Sequence, residues 1–152
     1  MEGALQALVD REEIRETILR WSRSVDRFDW DALDTVWTHD LRSDFTGLGL
    51  PACGAAELKE LLRESEKFFS LYQHVLSNLT FHEVTRDTAR TSIMVSSNNR
   101  TTEGDMFQVN GWYHDELRRT NEGWRISRRD FELLFNTSDT AGTTPMDNNA
   151  RL

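Results

Sequence analysis

The side chains here that can move a proton near neutral pH are four histidines, His39, His74, His82 and His114, and each has a different setting. An imidazole ionises near working pH, so it can take a proton from carbon as a general base. It does so best when an ionised carboxylate holds its other ring nitrogen, fixing the tautomer and stabilising the imidazolium. Taken alone, the sequence leaves His74 open to two readings: such a base, or a strand histidine whose hydrogen bonds are satisfied. Asp26 is equally a carboxylate reaching an interior site or an exposed charge at a helix end. His39 lies in a Thr-His-Asp loop, His82 near a strand end, and His114 alternates with Tyr113, so those two face opposite sides of a sheet. No pair of histidines has H-x-x-x-H spacing. Cys53, the one cysteine, can build neither a disulfide framework nor a zinc cluster, so no metal is expected.

The elements that must position these groups are visible in the periodicity. Asp10 and Glu13 have capping-box spacing and mark the start of a first helix. Ile14, Ile18, Trp21 and Val25 then form one apolar stripe at helical spacing. Asp26 falls about 100° from the centre of that stripe, on the shoulder of the buried face. A second short helix is expected from Asp29 through Trp30, Leu33 and Trp37, a short strand over Leu41–Phe45, and a third helix over Ala55–Phe69. The pattern then becomes extended, with strands over His74–Val84, Ala89–Asn99, Met106–Leu117 and Trp124–Leu134. The breaks at Arg86-Asp87, Thr102–Asp105 and Asn121–Gly123 suit tight turns, which implies an antiparallel meander. Helices first and strands later imply one α+β domain over 1–135, followed by a polar tail over 136–152.

Composition narrows the partners. A chain of 152 residues with 38% hydrophobic and 29% charged side chains is one ordinary globular domain. A net charge of -8 argues against nucleic acid and anionic membranes, which need a basic face. The pairs Arg118-Arg119 and Arg128-Arg129 are expected on a solvated sheet edge. Met1–Asp10 lacks a basic region followed by an apolar run, and no stretch approaches the length of a membrane span, so a cytoplasmic location is expected.

Three segments carry a resemblance. Ser24-Val25-Asp26-Arg27-Phe28-Asp29-Trp30-Asp31-Ala32-Leu33 resembles the junction of the first two helices in SnoaL-like proteins. Tyr72-Gln73-His74-Val75-Leu76-Ser77-Asn78 resembles the start of their long sheet. Gly111-Trp112-Tyr113-His114-Asp115-Glu116-Leu117, followed by Gly123-Trp124-Arg125-Ile126, resembles a later hairpin. The order and spacing match over about residues 8–134. The resemblance implies the cone-shaped α+β barrel of scytalone dehydratase and nuclear transport factor 2, with three N-terminal helices packed on a curved, mostly antiparallel sheet around a ligand-sized cavity.

It also implies roles. In scytalone dehydratase and hexachlorocyclohexane dehydrochlorinase, an aspartate at the end of the first helix orients a histidine near the start of a strand; Asp26 and His74 stand at those positions. Val25 and Phe45 replace two tyrosines that hold a water on the substrate carbonyl in the dehydratase, and Asn99 replaces its second histidine. Asn99 can still hydrogen-bond a leaving oxygen or carbonyl, or it is a turn residue in Ser96-Ser97-Asn98-Asn99. Tyr113 aligns with a cavity position, Asn78 shares the strand parity of His74, and Trp21 closes a pocket wall or packs the core. Asp44 and Asp115 are further polar candidates near strands.

The function so implied is a cofactor-independent lyase or isomerase: dehydratase, dehydrohalogenase or retro-aldol type. It would act on a hydrophobic, cyclic or aromatic small molecule, with His74 and Asp26 as the catalytic dyad. Alternatives are the non-catalytic small subunit of a ring-hydroxylating dioxygenase and a small-molecule carrier. Relatives assemble as dimers or trimers through the outer sheet face, so a homo-oligomer is expected, with Trp112 and His114 outside if Tyr113 faces in.

Overall fold

The computed structural model describes residues 2–137. Among them the order is α1 (Glu2–Asp26), a 3-10 turn (Ala32–Thr35), β1 (Trp37–Asp44), a second 3-10 turn (Thr46–Leu48), α2 (Ala55–Ser65), β2 (Phe69–Val84), β3 (Thr88–Thr101), β4 (Met106–Thr120) and β5 (Gly123–Asn136). The sheet runs β1-β5-β4-β3-β2; β2 through β5 form an antiparallel meander and β1 pairs in parallel with β5. Both β1 and β2 are edges, so the sheet curves without closing, and the helices complete the cone. The polar tail expected over 136–152 begins later, since Asn136 ends β5. Its remainder from 138 onward lies outside the described residues.

Ile14, Ile18, Trp21 and Val25 all point into the core, with Leu33, Val36, Ile93, Leu117, Trp124 and Ile126 opposite them. Each such side chain contributes roughly 1.5–3 kcal/mol on burial, which ties α1 across the concave sheet face. Four expectations are corrected. Asp10 does not cap α1; the helix continues upstream, and the buried Asp10 carboxylate accepts from Gln6 at 2.9 Å and pairs with Arg119 at 2.7 Å. The second helix is only a single 3-10 turn. The β-branched run Thr35-Val36 leads Trp37 into the ladder instead, where the Ile126 N–H donates to the Val36 carbonyl at 2.9 Å. The domain therefore has two α-helices among the described residues, not three. The third predicted helix stops at Ser65, whose hydroxyl accepts from Tyr72 Oη at 2.8 Å, and Phe69 already begins β2.

Gly111 fixes how closely β5 can lie. A Cβ built there would sit 2.2 Å from the Glu132 carbonyl oxygen and 2.6 Å from the Phe131 ring. Gly111→Ala is expected to cost about 3 kcal/mol or more by overpacking, read as a fall in the urea midpoint. An unchanged midpoint would contradict this packing.

Candidate active site

Asp26 is the last residue of α1, and His74 lies on the edge strand β2. The carboxylate takes two things from His74. It accepts the backbone N–H with both oxygens at 3.1 Å, and its Oδ1 lies 2.6 Å from Nδ1. An ionised carboxylate can only accept, so in the neutral imidazole Nδ1 carries the proton and Nε2 holds the lone pair. The imidazole is 8% exposed and the carboxylate 25%. Nε2 makes no hydrogen bond among the described residues, and His74 lines an apolar cavity.

The cavity, of about 380 Å³, lies between the sheet and the two helices. Its floor is aromatic. Trp21 meets Phe45 and Tyr113 at centroid distances of 6.2 and 6.4 Å, and Phe131 stacks on Phe45 at 5.9 Å. Phe69, Tyr72 and Phe107 line it further out, with Leu58 and Leu62 from α2. Polar groups are few: His74, Ser65, Ser97, Asn99, Tyr72, Tyr113 and Asn136. Ser97 and Asn99 share a face of β3 and hold each other, with Ser97 Oγ donating to Asn99 Oδ1 at 2.9 Å and Asn99 Nδ2 donating to the Ser97 carbonyl at 3.1 Å. One amide hydrogen of Asn99 remains for a ligand. Burial pushes the hydroxyls of Tyr113 and Tyr72 above the ordinary phenol range; the Arg129 guanidinium pulls Tyr113 the other way, and the Ser65 hydrogen bond does so for Tyr72.

The structure brings Trp21, Val25, Phe45, His74, Asn99 and Tyr113 to this one cavity, with Asp26 behind the imidazole. Asn99 is a buried strand residue, not a turn residue. Asn78 does not join them. Its backbone is left-handed, φ 55°, at a bulge where the register shifts between Ser77 and Thr80, so the parity counted from His74 flips and Asn78 is exposed, its Nδ2 donating to Met94 Sδ at 3.3 Å. Asp44 instead accepts from Thr46 at 2.9 and 2.7 Å. His82 meets Ser92 and His114 meets Glu132, each at 2.8 Å. No group of three potential ligands able to hold a metal occurs among the described residues.

Asp115, a polar candidate in the sequence, proves to be one half of a buried pair beneath the cavity, and sequence reasoning missed its partner. Arg129, expected on a solvated edge, is wholly enclosed and donates to both oxygens of Asp115 from Nε and Nη2, at 2.7 and 2.6 Å. The strand parity from Trp124 and Ile126 would aim Arg128 inward. A register shift between Glu116 and Leu117 reverses that and turns Arg129 in. Ser97 was also missed, although its i, i+2 spacing from Asn99 carries the signal.

A profile of the SnoaL-like domain matches residues 6–130. The uncharacterised Mycobacterium tuberculosis protein Rv2910c is 35% identical over 123 residues, covering 79% of this chain and 82% of its own length. A solved structure from Novosphingobium aromaticivorans, named as a candidate aromatic ring hydroxylase, is 30% identical with a TM-score of 0.79, covering 84% of this chain and 91% of that one. A hexachlorocyclohexane dehydrochlorinase (LinA) Type2 has the same fold at 20% identity and a TM-score of 0.76, covering 88% of this chain and 91% of that one.

Proposed function

The chain belongs to the SnoaL-like domain family, and from that premise we propose that it is a cofactor-independent lyase or isomerase acting on a hydrophobic, cyclic or aromatic small molecule. One observation carries the reading: a buried imidazole held at Nδ1 by Asp26, with a free Nε2 on an apolar cavity. Nε2 removes a proton from a substrate carbon. The adjacent carbon then loses hydroxide or halide; in the retro-aldol alternative Nε2 instead takes the proton of a β-hydroxyl, that oxygen forms a carbonyl, and the carbon–carbon bond breaks to leave an enolate. Trp21, Val25 and Phe45 shape the ring-binding floor, while Asn99 and Tyr113 hold the substrate's polar atom. The fold relationship to a dehydrochlorinase supports elimination chemistry without naming the leaving group.

The reaction is tested with a panel of cyclic ketones and β-hydroxy ketones in deuterium oxide, following isotope uptake at carbon by mass spectrometry. Uptake that is lost in His74→Ala supports proton abstraction. Binding in the cavity without uptake by any member favours a carrier, and no binding at all favours the non-catalytic small-subunit reading that the resemblance implies.

We further propose a cytoplasmic homo-oligomer, with no nucleic-acid or membrane partner. No helix among the described residues is long and apolar enough to cross a membrane. The outer sheet face carries Val75, Met94, Trp112 and Phe135 on neighbouring strands. Covering them against second copies removes an apolar patch from water. Light scattering at micromolar concentration is expected to give a dimer or trimer; a mass of one 17.7 kDa chain would overturn this.

A further inference from the structure

Arg129 and Asp115 are the most deeply buried charged residues among those described, and the Asp26–His74 chemistry does not use them. They face each other across β4 and β5 on the inward side. Two guanidinium nitrogens are bound to the carboxylate, while Nη1 has no hydrogen-bond partner. The guanidinium carbon lies 4.1 Å from the centroid of the Tyr113 ring and 4.9 Å from that of Trp21. Tyr113 precedes Asp115 by two residues on β4, so both point inward, and the phenol lines the cavity. An enclosed ion pair stabilises a domain no better than a well-packed apolar pair. What a Leu–Met pair could not supply is a cation against the face of a phenol.

We propose that Tyr113 is a catalytic hydrogen-bond donor to the substrate atom on which negative charge develops, and that Arg129 is a positioning residue that strengthens this donor from beneath its ring. The proposal rests on the elimination reading above. With a β-hydroxy ketone, the Cα–H bond breaks, the proton goes to His74 Nε2, and the electron pair moves onto the carbonyl oxygen as an enolate. The Tyr113 O–H holds that oxygen. The pair then returns to form the carbon–carbon double bond, the Cβ–O bond breaks, and the imidazolium gives its proton to the departing hydroxide, leaving enone and water. A cation under the ring draws π density away from the oxygen and makes the hydroxyl a stronger donor. The charged and titratable groups around the phenol are Arg129 on β5, Asp115 on β4, Asp26 on α1 and His74 across the cavity on β2.

The chain has two tyrosines, so the phenol can be read directly. Difluorotyrosine titrates near neutrality, where the fold persists. It is incorporated into the full chain and followed by fluorine NMR without ligand, with Tyr72→Phe to assign the signals. The variant Arg129→Met/Asp115→Leu removes both charges together. In it, the ionisation constant at position 113 is expected to fall roughly tenfold, while that at Tyr72 holds. If this variant does not fold, Arg129→Gln/Asp115→Asn keeps cross-strand hydrogen bonds without charge and serves the same comparison. On a substrate found by isotope uptake, Tyr113→Phe is expected to lower kcat roughly 100-fold with little change in KM. The charge-free variant is expected to lower kcat in the same sense. An unchanged titration at position 113 in a folded charge-free variant overturns the role of Arg129, whatever the enzyme's activity. A Tyr113→Phe enzyme with full kcat overturns the role of Tyr113. Failure of the parent protein to exchange any substrate proton would instead sink the proposed reaction and leave the titration result standing.

Discussion

His74→Ala is expected to lower kcat roughly 100- to 10,000-fold, the span a positioned general base contributes, and to leave the fold intact. The imidazole is removed from a cavity wall, not from the packed centre, and the backbone N–H that meets Asp26 is still present. Asp26→Asn is expected to retain an acceptor for that N–H while losing on the order of 10,000-fold in rate, as when a triad aspartate becomes an amide and the tautomer is no longer held. Steady-state kinetics on a confirmed substrate, with circular dichroism as the control, reads both. Wild-type turnover by the His74→Ala protein would remove the dyad mechanism.

The second large effect lies beneath the cavity. Asp115→Leu alone leaves the Arg129 guanidinium enclosed, 2% exposed, with no carboxylate. Removing one partner of a buried pair costs about 3–5 kcal/mol, against a total stability of about 5–15 kcal/mol for an ordinary domain. The single variant should therefore sit close to unfolding at room temperature. Replacing both partners, as Arg129→Met/Asp115→Leu, should restore most of the loss, because no unpaired charge remains. Urea denaturation of the singles and the double closes the cycle. If both singles cost under about 1 kcal/mol, on the scale of an exposed pair, the two groups are not enclosed as described.

Much of this architecture was readable because it follows regular periods. The α1 stripe from Ile14 to Val25 follows from a spacing of 3.6, and the three tight turns of the meander from their turn residues; the inward face of Tyr113 came from resemblance, with period 2 only setting Trp112 and His114 opposite it. The pairing of Asp26 with His74, 48 residues apart, came only from resemblance to known sequences, since nothing local links a helix end to a strand start. The misreadings cluster where the period breaks. A bulge at Asn78 and another near Ser127 each shift parity by one, taking Asn78 out of the cavity and putting Arg129 under it. The early expectation of a helix at Asp29–Trp37 failed for a different reason: the partner that claims Trp37 as a strand lies on β5, far along the chain.

Asp26 both pegs the edge strand β2 to the helix and aims its imidazole. These two duties would separate if a lineage gave up turnover and kept only the container. Such a descendant would still need the peg, and only the ring would become free to drift. On the proposed mechanism, position 74, and not position 26, is the site at which enzymes and carriers among relatives of this chain would differ. A relative with aspartate at 26 and no histidine at 74 would keep the peg and lack the proposed base.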